Sequence, residues 1–140
     1  MSQGPAEPIW LPRAAVEAGH ADQLRAHGGQ LGLRDEGLLD AALARARQRW
    51  IDTPESDIAE LAACYGFGLA KKHPFVDGNK RIGFIASNMF LIINGSEIEA
   101  LEPEVVMIMK QVAAGSLGEE EFAAWIRSVL IPMEPDDLLT

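Results

Sequence analysis

His73-Pro74-Phe75-Val76-Asp77-Gly78-Asn79-Lys80-Arg81 runs directly into Ile82-Gly83-Phe84-Ile85-Ala86-Ser87-Asn88-Met89-Phe90-Leu91-Ile92-Ile93. The first nine residues bring together an imidazole, a carboxylate, a glycine bend, an amide and two cations; the next twelve are almost unbroken apolar. Twelve residues fall short of the roughly 20 needed to cross a bilayer, so no membrane span is expected. They read instead as a core helix, and a helix apolar on all sides must be surrounded by others. That reading decides the fold class: an all-α bundle of about six helices packed around the helix that follows the HPFVDGNKR loop.

Working outward, a helix is expected over residues 57–72, with Ile58, Leu61, Ala62, Tyr65 and Leu69 at helical spacing. Gly66 and Gly68 let a neighbour approach it closely. Further upstream, Asp35 can cap a helix reaching about Arg47 that keeps Leu38, Leu39, Ala42 and Ala46 on one face. Pro12 suits the first turn of a helix over residues 12–27, which Gly28-Gly29 ends. Downstream of the central helix, Asn94-Gly95 is a stop. The short alternating run Ser96-Glu97-Ile98-Glu99 could pair with Ile9-Trp10 as a small ribbon. Pro103 opens a fifth helix bearing Val105, Val106, Met109 and Val112. Ser116 with Glu119 forms a capping box for a sixth carrying Phe122, Ile126 and Val129 inward, and Pro132 ends it. Residues 1–8 are rich in Gly, Pro and small polar groups and read as a disordered lead; the acidic run 134–137 reads as frayed.

The chain has 140 residues, a one-domain length, with 48% hydrophobic and 24% charged residues as in ordinary globular proteins. Its formal net charge of -9 opposes unaided binding to nucleic acid, whose phosphates the overall field repels. Against that background the cluster Lys71, Lys72, Lys80 and Arg81 stands out. The lone Cys64 excludes an internal disulfide, fits a reducing cytoplasm and sits among small core residues, where a thiol is usually inert, a catalytic thiol being the minority reading. No basic segment leads into an apolar run at the N-terminus, so no signal peptide is expected and the cytoplasm is the expected location.

The spacing in the motif imposes a geometry. His73 closes one helix, Pro74 forbids its continuation and Gly78 permits the bend that starts the next. Amides near Gly78, Asn79 and Lys80 then become unpaired donors at a helix N-terminus, where the macrodipole favours an anion. Asp77 on the bend supplies an oxygen ligand of the kind Mg²⁺ shares with phosphates. Lys80 and Arg81 add charge, and Arg81 can grip a phosphate with two bonds. His73 faces them as a candidate general base for a hydroxyl. Each residue also has a plainer reading. His73 could cap a helix end, Asp77 could be only an N-cap, and Phe75 anchors the loop in the core. Cations at a helix start are badly placed for the dipole, which makes a merely solvated role for Lys80 and Arg81 less natural. Together the nine residues describe a phosphoryl-type transfer site. His20 and His27 lie seven apart on the first helix, but no carboxylate or Cys pattern completes a zinc site.

The order of these residues resembles the signature of the Fic/Doc superfamily, and Lys80 before Arg81 points to its death-on-curing (Doc) branch. Gly28-Gly29 and the run from Gly32-Leu33-Arg34-Asp35 to Leu43 are similar to a second segment of that family. His20 resembles a His that Doc proteins carry in the first helix, with packing or capping the favoured role. Arg34 and Asp35 either approach the active site or tie helices together. The resemblance implies a Fic/Doc domain over residues 11–131, flanked by a lead at 1–10 and an acidic tail at 132–140. It further implies that His73 is the base and that Lys80 serves the transfer step. Gly78, Asn79, Lys80 and Arg81 would hold the phosphates of ATP, and Asp77 would hold Mg²⁺. By the same resemblance the product is phosphorylated Ser or Thr on a translation factor, elongation factor Tu being the expected target. Fic members more often transfer AMP, and they carry Gly where Lys80 stands. A lapsed interaction module is the remaining alternative. No convincing copy of the S/TxxxE(G/N) inhibitory helix of the Fic classes is present, so inhibition is expected from a separate Phd-like antitoxin.

Overall fold

The computed structural model describes residues 6–133. It contains six helices, α1 (Arg13–His27), α2 (Glu36–Asp52), α3 (Ile58–Lys72), α4 (Asn79–Ile93), α5 (Glu102–Ala114) and α6 (Glu119–Val129). Two three-residue strands, β1 (Ser96–Ile98) and β2 (Leu130–Pro132), complete the order. Residues 1–5 of the lead and the acidic run 134–137 lie outside the described residues.

Helix starts follow local chemistry. Asp57 accepts from the Glu60 amide (2.8 Å) while Glu60 accepts from the Asp57 amide (3.0 Å), a capping box that opens α3. Asp35 accepts from the Leu38 amide (3.0 Å) and opens α2. That helix runs beyond Arg47 to Asp52, where Thr53 donates back to Arg49 and Pro54 precludes more. The start of α6 differs from expectation. Its N-cap is Gly118, whose amide donates to Glu121 (3.2 Å), whereas the Ser116 hydroxyl turns back to the Gln111 carbonyl (3.3 Å). Gly115 in the left-handed region ends α5 and spends Ser116 on that helix's C-terminal carbonyls.

α3 and α4 form the central pair. α2, α5 and α6 lie against α3, α1 packs on α4, and α5 also touches α4. Ten of the fifteen residues of α3 are buried, so it shares the centre with α4. The two helices approach at Gly66, Gly83 and Ser87, and the Ser87 hydroxyl donates to the Ala62 carbonyl (2.7 Å). A Cβ on Gly66 would meet Ser87 Oγ, Phe122 Cε2 (2.8 Å) and the Gly83 carbonyl (2.9 Å). Gly66→Ala is therefore expected to cost on the order of 1–3 kcal/mol by overpacking. Gly37→Ala on exposed α2, where a Cβ meets only Asp35 Oδ1 at 3.4 Å, should be neutral or gain about 0.5–1 kcal/mol. Urea unfolding midpoints of the two variants check the contrast.

α4 is not enclosed on all sides. Ile82, Ala86, Phe90 and Leu91 are buried, but Phe84, Ile85 and Met89 are only half-buried. Phe84 and Ile85 face an open groove, whose other wall is α5. The expected ribbon also forms differently. β1 pairs antiparallel with β2, Glu97 opposite Ile131, and not with Ile9-Trp10. The Asn94 side chain takes both Ile9 backbone groups (2.9 and 3.0 Å), leaving them no strand to join. Trp10 stacks on Phe90 (centroids 6.0 Å), and the Leu11 amide donates to the buried Tyr65 hydroxyl (3.1 Å).

Candidate active site

The loop between α3 and α4 is held from outside by the segment that follows α1. Leu33 and Phe75 form an isolated antiparallel bridge, the Val76 amide donates to the Gly32 carbonyl (3.0 Å), and the amides of Arg34 and Asp35 both donate to the Pro74 carbonyl (2.7 and 3.0 Å). Inside the loop, the Asn79 side chain both donates to the Phe75 carbonyl (2.9 Å) and accepts from the Phe75 amide (3.0 Å). This closes the turn on itself, with Phe75 and Asn79 buried. What Asn79 can offer a ligand is thus its backbone amide.

Around this loop lies an open cleft of about 510 Å³, lined by His73, Asp77, Gly78, Asn79, Lys80 and Arg81 and by residues 27–29 from the end of α1. All the residues singled out in the motif therefore meet at one cavity. Gly78, at φ 77°, forms the bend, and a Cβ there would collide with Gln23 Nε2. α4 starts immediately after it with no side-chain cap and no acidic residue in its first turn. Its first intrahelical bond is Ile82 to Gly78 (3.0 Å), so the amides ahead of Ile82 have no helical acceptor. Lys80 and Arg81 stand at the positive end of the helix dipole, where cations are repelled unless an anion joins them.

Most of the other arginines behave differently. Arg13, Arg25, Arg45, Arg47, Arg49 and Arg127 are all in ion pairs. Among the described residues Arg34, Lys71, Lys72, Lys80, Arg81 and Lys110 are in none. In a chain of net charge -9, the unneutralised positive charge is gathered at this end of the molecule.

Asp77 is fixed from three directions. Its Oδ1 accepts from the Gly78 amide (2.9 Å) and its Oδ2 from the Gln30 amide (3.2 Å). Its carbonyl lies 2.7 Å from His20 Nε2, so this nitrogen carries the proton and donates. The His20 ring is buried and stacks on Phe75 at 3.8 Å between centroids. His20 thus both packs and caps, and the carbonyl it caps belongs to Asp77. Gly29 leaves space for this arrangement, since a Cβ there would come within 3.0 Å of Asp77 Oδ2. Each carboxylate oxygen retains acceptor capacity after one amide bond. Among the described residues no three His, Cys, Asp or Glu side chains converge on one point. A single carboxylate beside an uncapped helix start fits Mg²⁺, which is held by one or two carboxylates plus substrate phosphates.

His73 is exposed at the rim, and its side chain makes no hydrogen bond among the described residues. Cys64 is buried between helices; burial, reinforced by Glu119, pushes its thiol up to about 12, which removes it as a nucleophile. Sequence reasoning passed over two groups. Gln23 is buried and donates to the Gly78 carbonyl (3.4 Å). Its signal was a polar residue on the inward stripe Val16, His20, Gln23, Leu24. The Gln30 contribution is a backbone amide, and no side-chain pattern announces it.

The Fic/DOC family profile matches residues 10–91, more than half of the chain. A protein named toxin Doc from Mycolicibacterium smegmatis is 44% identical over 77 residues, which cover 54% of this chain and 58% of that relative. The chain thus matches a little over half the length of that protein. A protein named protein kinase doc from Escherichia phage P1 is 28% identical over 108 residues, covering 77% of this chain and 85% of the relative. The matched residues contain the whole of the cleft loop, α1 and the strap between them, and the chain belongs to the Fic/DOC family.

Proposed function

We propose that the protein is a Doc-type toxin that phosphorylates a Ser or Thr hydroxyl of a translation factor, with elongation factor Tu as the expected target and ATP as donor. The observation that carries this reading is Lys80. It lies at the uncapped start of α4, without an ion pair among the described residues, on the same cleft as His73 and Asp77. The names of two relatives, a toxin and a protein kinase, agree with it.

In this reading the γ-phosphate of ATP meets the first-turn amides of α4, with Arg81 and Lys80 on its oxygens. The target hydroxyl attacks the γ-phosphorus, the bond to the β,γ-bridging oxygen breaks, ADP leaves, and His73 takes the hydroxyl proton. Asp77 would hold Mg²⁺, which neutralises charge on the phosphates when bound. His20, Gln30 and Gly78 keep the Asp77 carboxylate in one orientation, and Asn79 keeps the loop closed. Lys80 fills space that a Gly in its place would leave to a phosphate. This favours γ-phosphoryl over AMP transfer.

A cognate, Phd-like antitoxin fits the groove that opens from the same rim. Its volume is about 470 Å³, with Phe84, Ile85, Val105, Val106 and Met109 on its walls and Lys80, Arg81 and Lys110 among its lining residues. An amphipathic helix with an apolar face and acidic flanks suits such a surface. The toxin acts in the cytoplasm, where its target is; no helix of the described residues is long and apolar enough to cross a membrane.

The deciding experiment offers the purified protein elongation factor Tu with ATP labelled at either the α or the γ phosphate. Label is expected only from the γ position. Label from the α position alone would assign AMP transfer, and no label from either would leave the interaction-module alternative standing.

A further inference from the structure

His73 is the one non-glycine residue with positive φ among the described residues, at φ 52° and ψ 56°. Two local preferences oppose this. The left-handed region crowds the Cβ of an L residue against its own backbone. A following proline, here Pro74, also biases its predecessor toward extended backbone. The conformation therefore has to be imposed by the surroundings.

The surroundings that impose it are largely one residue. Arg34 Nη2 donates to the Lys72 carbonyl (2.9 Å), Arg34 Nε donates to the His73 carbonyl (2.7 Å), and the Arg34 amide donates to the Pro74 carbonyl (2.7 Å). Three successive carbonyls, one on each side of His73 and its own, thus terminate on Arg34. The guanidinium is planar and presents its donors in a fixed fork, so two carbonyls bound to it are fixed relative to each other. Arg34 has no carboxylate partner among the described residues, and its charge is directed at the C-terminus of α3, where the helix dipole favours a cation. A residue serving only to tie the strap to the bundle would not need this placement, because the backbone bonds of Gly32, Arg34 and Asp35 already do so.

We infer that Arg34 is a positioning residue for His73: its fork holds the His73 backbone in the left-handed region and so sets the imidazole at the cleft shared with Asp77 and Lys80. The inference rests on the reading of His73 as the base of the proposed transfer. Misplacing a reacting group by about 1 Å costs on the order of 100-fold in rate.

The test compares Arg34→Ala and Arg34→Lys in the full chain. Arg34→Ala is expected to lower kcat for γ-phosphoryl transfer about 10- to 100-fold while KM for ATP stays within about twofold, since the nucleotide groups are untouched. Millimolar guanidinium should restore part of the rate to Arg34→Ala. Arg34→Lys, whose single ammonium cannot span two carbonyls, should recover less than guanidinium does. Nuclear magnetic resonance supplies the readout that does not depend on activity. In Arg34→Ala the amide-to-α coupling of His73 should change and the amides of residues 73–76 should shift, with the remaining spectrum in place. Unchanged kcat would overturn the inference, as would a fall in kcat that guanidinium does not relieve and that follows general unfolding. If the wild-type protein transfers no phosphoryl group, the kinase reading fails, and the spectra alone decide: an unaltered His73 coupling in Arg34→Ala overturns the positioning role.

Discussion

His73→Asn is expected to lower phosphoryl transfer by about 10²–10⁴-fold, the usual contribution of a positioned general base, while leaving the fold intact. Asparagine is the informative replacement because it tolerates the left-handed conformation that His73 adopts at φ 52°. An alanine would add backbone strain to the loss of the imidazole and blur the two. Stability should hardly move, since the His73 side chain is exposed and the bonds that organise the loop run through backbone groups of residues 73–76 and through Asn79. Single-turnover transfer from γ-labelled ATP, read beside thermal unfolding, checks both halves. Expression in a growing host gives the same answer in another form: arrest by the wild type and none by the variant. A variant that retains more than about a tenth of the wild-type rate, well above that range, would remove His73 from the mechanism and return it to the role of a helix cap.

Lys80→Gly is expected to lower phosphorylation by about 100-fold or more, the effect of losing a few kcal/mol of charge stabilisation in the transition state. Lys80 is exposed in the first turn of α4, where a cation is disfavoured by the dipole and has no ion pair among the described residues to justify it. An anion arriving at that turn reverses the sign of the interaction, and the cost of holding the charge there becomes a gain in the loaded site. Glycine carries its own penalty of up to about 1 kcal/mol in a helix, so Lys80→Ala serves as the control for backbone effects. Both variants should lose rate alike and keep their helical content. Steady-state incorporation of γ-label into the purified target measures the loss, and α-labelled ATP reports any gain of AMP transfer from the enlarged pocket. Near-wild-type rates in both variants would make Lys80 a bystander.

The basic rim and the groove beside it combine two features of the composition that look unrelated in the chain. Net charge is -9, yet the lysines and Arg81 find no partner among the described residues. α4 is apolar nearly all round, yet one of its flanks stays open toward α5. Incomplete neutralisation and incomplete burial thus coincide at one end of the molecule, and the proposed nucleotide and antitoxin would use one each.

Features written in neighbouring residues were legible from the sequence. The helices, the caps at Asp35 and Asp57 and the all-α class follow from periodicity and side-chain donors acting within one or two turns. That His73, Asp77, Lys80 and Arg81 share one cleft was legible too, because they lie within nine residues around the bend at Gly78. Where a short segment had several partners available, local reading went astray. Ser116 bonded back to Gln111 instead of opening α6, β1 found Leu130–Pro132 instead of Ile9-Trp10, and α4 kept an open flank. Three residues lie far from the loop in sequence, yet they hold it. His20 reaches the Asp77 carbonyl across 57 positions, the Gln30 amide its carboxylate across 47, and Arg34 the His73 carbonyl across 39. Only tertiary structure decides such bonds. A backbone carbonyl or amide is present at almost every position, so nothing in the residue types says which one a distant donor will meet until the packing of α1, α3 and α4 has brought them within about 3 Å.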